Sequence, residues 1–228
     1  SVDTCTELIL AHDLEAYTER APEGAKVLGA ELRTKYHELV AKVLQEALTP
    51  QQKPEAPLAA LPRSHALEVL LRLKTVLQKN IGTTYNQESD TMVDPLLHGK
   101  YQCRSGTLSL VLMALEAEQK DRALFAGGEA LVEIYTDGHV EPGLLLKDGT
   151  LIAVEMTSAG PAVRNFGKLP DIKSPMQVVR ADHATYQDAL DTSAHRDKAM
   201  ILDNAPKGAS TLPVGKKGNS RFGFGVPK

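Results

Sequence analysis

An α+β fold is predicted for this 228-residue chain by three observations. The first half carries several segments of helical periodicity. The stretch that opens at Cys103 is apolar almost all the way round, and short β-type runs flanking a tight turn come after it. Helices followed by strands imply segregated layers around one core. With 42% hydrophobic residues the chain has the material for that core, and its length suits one domain with an appendage better than two full domains.

Residues 3–20 and 24–48 read as two helices. In the second, Val27, Leu28, Leu32, Leu39, Val40, Val43 and Leu44 recur at helical spacing, with Lys and Glu between them. Pro22, Glu23 and Gly24 suit a tight turn between the two. The pair is read as amphipathic helices packed on the core. Residues 50–62 (PQQKPEAPLAALP) form a Pro-rich linker that cannot continue a helix. A third helix is expected over 63–80, with Leu67, Leu70, Leu71, Leu73, Val76 and Leu77 as its apolar stripe. Residues 81–102 are polar and irregular and lead straight into Cys103. Long structureless segments often line sites, so this one is expected to wall a substrate cleft.

Past the buried helix the pattern changes. Residues 130–135, 144–146 and 151–155 read as strands, the last two joined by the hairpin signal Lys147-Asp148-Gly149-Thr150. Residues 158–180 are expected to be a Gly- and Pro-punctuated loop. Residues 181–203 are expected to be helical, with Tyr186, Ala189, Leu190, Ala199 and Leu202 as contacts. The tail from Lys207 carries Lys216, Lys217, Arg221 and Lys228 with no acidic residue, and is read as a flexible basic terminus. The organisation is then an N-terminal helical segment (1–49), a linker (50–62), a core (63–206) and a tail (207–228).

A net charge of −3 and a pI near 6.2 argue against a general nucleic-acid or membrane-surface binder. No apolar run approaches the ~20 residues of a membrane span. The chain opens on Ser1 with no signal-like n-region and h-region, so a removed leader is conceivable and the compartment is unknown. Only Cys5 and Cys103 are present, which excludes a disulfide framework and a Cys-rich zinc site. The seven histidines form no H-E-x-x-H pattern, so no metal is expected.

Cys103 stands at the start of the buried helix, where unpaired N–H groups and a partial positive charge favour a thiolate. His139 lies in Gly138-His139-Val140-Glu141-Pro142-Gly143, at the mouth of a strand, and Glu155 ends the next one. A thiol nucleophile needs an imidazole within hydrogen-bond reach. The imidazole needs an acceptor on its far nitrogen to fix tautomer and orientation. Cys103, His139 and Glu155 supply these roles in order, with Asp171 as the reserve acid. Asp148 is read as a turn former, and Arg104 and Ser105 as residues of the helix start.

The hairpin decides whether Glu155 reaches His139. A two-residue Asp148-Gly149 loop pairs Leu146 with Leu151 and turns Glu155 away, because side chains alternate with period two. A three-residue loop with Gly149 left-handed pairs Leu146 with Thr150. It then sets His139 opposite Thr157 and puts Glu155 diagonally beside it on the same face. A bulge at Pro142-Gly143 would have the same effect.

In these pieces, Cys103-Arg104-Ser105-Gly106-Thr107, Gly138-His139-Val140 and Val154-Glu155-Met156-Thr157, the chain resembles the transglutaminase-like superfamily of papain-type fold. The resemblance covers roughly residues 80–160. It implies a buried Cys-bearing helix packed on a small antiparallel sheet, here with additional N-terminal helices. It also implies a cysteine protease, deamidase or transglutaminase acting on a peptide or glutamine amide through a thioester, with no cofactor. Two departures stand out: Glu155 replaces the usual Asp, and Glu141 stands where an aromatic often follows the His by two. The oxyanion donors would be the Cys103 N–H and a second group, for which Gln102, Asn86 and Gln87 are candidates. The partner is a protein or peptide substrate, with room for a regulatory protein and no role for nucleic acid. The competing expectations are a catalytically inactive fold serving as a protein-binding module, and an acyltransferase that differs only in the second acceptor.

Overall fold

The computed structural model describes residues 4–20, 27, 29–49, 61–62, 64–158, 162–174, 176–182 and 211–212. The mixed α+β class is what is found: helices on one side of a small antiparallel sheet. Helices α1 (Thr4–Arg20), α2 (Gly29–Leu48) and α3 (His65–Ile81) come first. On α2 the spacing selects Leu32, Leu39, Val40, Val43 and Leu44 for burial. On α3, Leu67, Leu70, Leu71, Leu73 and Leu77 are buried. Ser64 caps α3 by accepting from Leu67 N, and Gly82, at φ 82°, ends it in a conformation open to glycine.

Residues 82–102 are largely irregular, as expected. They hold two short parallel-paired strands, β1 (Thr84–Tyr85) and β2 (Lys100–Tyr101), around one π-helical turn at Asp94–His98. Helix α4 (Cys103–Lys120) follows and is buried continuously from Ser105 to Ala117, because α2 and α3 flank it and the sheet covers it.

The main sheet has the order β6-β5-β4-β3-β7-β8. It is built from β3 (Ala130–Thr136), β4 (His139–Leu145), β5 (Thr150–Val154), β6 (Val163–Lys168), β7 (Gln177–Arg180) and β8 (Thr211–Leu212). The central strands are apolar on both faces. Leu131, Leu144, Ile152 and Val154 join the core shared with the four helices. The alternate residues Val132, Ile134, Leu151 and Ala153 pack on Leu169, Ile172 and Met176 beyond the sheet. Gly143 makes the strand contact close: a Cβ there would lie 2.4 Å from Ile152 O.

Two expectations need correction. Residues 158–180 are not all loop, because β6 and β7 lie there, separated by a 3-10 turn at Leu169–Asp171. Neither alternates apolar and polar residues: β6 is a largely exposed edge strand, and β7 has four residues. Their pairing with β5 and β3, not their own composition, makes them strands. The second correction is that the strand expected at 144–146 starts earlier, at His139. Pro142 is tolerated because the β4–β5 ladder runs from Leu145↔Leu151 to Gly143↔Ala153 and stops before it. The expected Pro22-Glu23-Gly24 turn, nearly all of the Pro-rich linker, almost the whole 181–203 helix and most of the basic tail lie outside the described residues.

Candidate active site

Cys103 is the first residue of α4. Gln102 and Ser105 form a capping box: the Ser105 N–H donates to the Gln102 side chain, and the Gln102 N–H donates to Ser105 Oγ at 3.1 Å. Ser105 Oγ also donates to Ser89 O, which ties the irregular segment to the helix start. Thr107 Oγ1 donates to Val140 O at 3.1 Å and fixes α4 against the strand that His139 opens. Gly106 permits this approach, since a Cβ would sit 2.9 Å from the Tyr101 ring. The half-buried Cys103 packs beside Tyr135, Val140 and Val179.

The β4–β5 hairpin takes the three-residue loop. Leu146 N donates to Thr150 O, Gly149 has φ 85°, and the ladder pairs Leu145 with Leu151. The β3–β4 and β4–β5 ladders run without a bulge at Pro142-Gly143. In this register Glu155 comes to the same face as His139, and His139 Nε2 donates to Glu155 Oε2 at 2.8 Å. The other carboxylate oxygen, Oε1, accepts from Thr157 N at 2.8 Å and from Thr157 Oγ1 at 2.7 Å. The segment carrying these groups is held from below. Tyr101 Oη donates to Met156 O, and Gln78 Nε2 donates to Met156 O and Ser158 O. With Nε2 taken by Glu155, Nδ1 is the ring nitrogen left for the Cys103 thiol, and the two groups shift each other's pKa.

The electrostatics follow from these contacts. Burial alone would raise the Cys103 pKa, but the bond with His139, the Val140 and Arg104 N–H groups and the imidazolium charge outweigh it, and the thiol lies below its ordinary value. His139 is raised to about 10, first by its bond with Cys103 and then by its bond with Glu155, against burial. Burial also opposes ionisation of Glu155, yet the donors His139 and Thr157 bring its carboxyl down to about 2. These shifts all favour the charged forms, so that thiolate, imidazolium and carboxylate alternate in sign along the chain.

The structure therefore brings together Cys103, His139 and Glu155. Asp171 sits in the 3-10 turn and has no hydrogen bond to His139. Asp148 does form the turn, accepting from Thr150 N and pairing with Lys168. Of the candidate oxyanion donors, Gln102 lies closest to the chemistry: its Oε1 is 3.6 Å from Cys103 Sγ, and its Nε2 has no partner among the described residues. Asn86 accepts from Glu88 N and lines a different cleft, and Gln87 is exposed.

Sequence reasoning gave no role to three residues that interact with the site. Tyr85 is 53% exposed, yet its phenol is pushed up by partial burial and by the charges of Cys103 and Glu155. Lys74 on α3 is almost wholly buried and pushed down by that burial, an effect countered by the charge of Glu155. Glu141, two residues after His139, is fully buried and is met by Arg164 Nη2 at 2.7 and 2.9 Å. The strand period offered a signal for Glu141, since i and i+2 share a face. Tyr85 and Lys74 arrive from elements distant in the chain and left none.

The donor atoms of His139, Glu141 and Glu155 lie within 4.8 Å of one another. These three could converge on a metal ion only by giving up the His139–Glu155 and Glu141–Arg164 bonds. Residues 86–100 wall a cleft of about 690 Å³ with Tyr17 and Arg20 of α1, and a second of about 660 Å³ lies between α2, Ile81 and Pro95–His98. Cys103, His139 and Glu155 line neither, so the irregular segment walls a cleft on the α1 side and not one that holds the thiol. Among the described residues, no helix is long and apolar enough to cross a membrane.

No protein-family model matches the chain, and no curated protein or solved structure matches it either.

Proposed function

We propose that the chain is a thiol-dependent amide hydrolase or acyl transferase of transglutaminase-like type. Its core would be the papain-like arrangement of a Cys-bearing helix on an antiparallel sheet. One observation carries the reading: His139 bonds Glu155 through Nε2 at 2.8 Å, which leaves its other nitrogen for the Cys103 thiol, and thiol and imidazole shift each other's pKa towards the charged pair. In the reaction, the Cys103 thiolate attacks the carbonyl carbon of a peptide or glutamine amide. The carbonyl π pair moves to oxygen, where the Cys103 N–H stabilises it. Gln102, whose Oε1 lies 3.6 Å from the thiol, is the side chain that can bring a donor, its Nε2, beside it. As the oxyanion collapses, the C–N bond breaks and the amine leaves with the His139 proton. The thioester is then attacked by water, or by an acceptor amine, which gives its proton to neutral His139, and the C–S bond breaks to restore thiolate and imidazolium. Glu155 keeps the ring oriented and its charge balanced throughout. The chemistry needs no cofactor.

The test is the pH dependence of Cys103 alkylation by iodoacetamide in wild type and His139→Ala, both carrying Cys5→Ser. Fast labelling well below the ordinary thiol pKa of ~8.5, lost in His139→Ala, is expected. Slow labelling that follows an ordinary thiol titration and ignores His139 would overturn the reading and favour a binding module.

A further inference from the structure

We propose that Arg164 forms an anion subsite of the candidate active site and takes a carboxylate of the substrate; this rests on the reading of Cys103, His139 and Glu155 as a thiolate site. Arg164 stands on the edge strand β6, opposite Ala153 of β5. Its guanidinium is held from two sides. Nη2 alone donates to both oxygens of Glu141, at 2.7 and 2.9 Å, and the ring of Phe166 lies under the group, 4.9 Å from Cζ to the centroid. Phe166 is the extra residue at a register shift between β5 and β6, where Ile152 pairs with Asn165 and Leu151 with Gly167. Bulges of this kind re-aim side chains beside sites.

The anchoring spends one nitrogen of the fork. Nη1 and Nε have no partner among the described residues, and the side chain is 53% exposed. A guanidinium fixed in plane with donors facing solvent is the arrangement that binds a carboxylate with little loss of entropy. Its place is next to the chemistry, because Glu141 lies within 4.8 Å of the His139 and Glu155 donor atoms. Glu141 is fully buried, and a buried carboxylate costs more than an apolar residue of similar volume. Holding Arg164 at the rim of the site gives that carboxylate a purpose.

The test needs no known substrate. N-bromoacetyl derivatives of glycine, β-alanine and γ-aminobutyrate, each as carboxylate and as carboxamide, alkylate Cys103 with the negative charge at increasing reach. The rate ratio of carboxylate to carboxamide is measured in the Cys5→Ser background for the otherwise unaltered protein and for Arg164→Gln. Glu141→Gln/Arg164→Gln is added because it removes both charges and leaves no unpaired buried carboxylate. Relative to a free small thiol, the ratio is expected to be raised about ten-fold for at least one reagent and to fall to the free-thiol value in both variants. A maximum with the glycine reagent marks a terminal α-carboxylate as the ligand, and one with the longer reagents marks a side-chain carboxylate. A fast-reacting thiol with no carboxylate preference, or a preference that survives both variants, overturns this inference alone. Slow reaction of every reagent, unaffected by His139→Ala, overturns the thiolate reading and this inference with it.

Discussion

Replacing Glu155 with Gln keeps the side chain's shape and removes its charge, and the geometry of the site fixes the consequence. All three partners of the carboxylate are donors: His139 Nε2 on Oε2, and Thr157 N and Oγ1 on Oε1. An amide offers a single acceptor oxygen. If that oxygen stays with Thr157, the NH2 faces Nε2, and the ring can meet it only as a neutral acceptor protonated on Nδ1. If the amide flips, the NH2 opposes the Thr157 N–H. In the first case His139 loses a charge-assisted bond, and in the second the Thr157 N–H loses its acceptor. A charge-assisted bond contributes roughly 1.5–3 kcal/mol, or about one to two pKa units at 1.36 kcal/mol each. His139, now raised to about 10, is expected to fall by that amount, and Cys103, whose thiolate the imidazolium stabilises, to rise.

The assay is the pH profile of Cys103 alkylation followed by intact mass, where the acid limb should move up by about one to two units. A second readout is stability. Glu155 has an ordinary value of 4.5 and lies at about 2 in the fold, so the stability it contributes is present in full above 4.5 and is lost as pH falls towards 2. The full span is about 3 kcal/mol, and urea unfolding between those pH values should show a shallower acid decline in Glu155→Gln. Superimposable alkylation profiles together with an unchanged acid limb of stability would refute the assignment of Glu155 as the partner of His139.

Two further predictions concern the frame around the site. Gly143→Ala puts a Cβ 2.4 Å from Ile152 O and 2.8 Å from Ile134 Cδ1, both held by the sheet. A loss of about 1–3 kcal/mol is expected in urea unfolding, and a change inside experimental error would contradict the close strand contact. Gln78→Leu removes the amide that donates to Tyr101 Oη, Met156 O and Ser158 O. It should cost about 1–3 kcal/mol and, by loosening the segment after Glu155, slow Cys103 alkylation as well; loss of stability with wild-type alkylation would show that the segment holds itself.

The helices were readable because their information is local. The stripes of α2 and α3 repeat at the helical period, and Ser64 and Gly82 bracket α3 with the groups a helix end needs. The start of α4 at Cys103 was legible from the change in apolar pattern. Strands β6 and β7 were not, since four or six residues without alternation become strands only when β5 and β3 offer them a pairing edge. Glu141 was visible only as a departure from an expected aromatic residue. Its burial depends on Arg164, which arrives from β6 across a bulge no local pattern announces.

The sequence by itself determined the order of chemical roles, with a thiol at a helix start, an imidazole at a strand mouth and a carboxylate at the end of the next strand. It also narrowed the hairpin to two registers, because the side-chain period of two permits only one of them to bring Glu155 to His139. Tertiary structure alone decided between them. The left-handed Gly149 and the Leu146–Thr150 bond set the three-residue loop, and the Met156–Ser158 segment is pinned from α3 and β2 by Gln78 and Tyr101. Tertiary structure likewise brought Glu141 beside His139 and Glu155 and Arg164 onto Glu141, and set Tyr85 and Lys74 where the charge of Glu155 is felt. The physical reason is the same in each case: a charge distant in sequence acts on the site only once packing has removed the water between them.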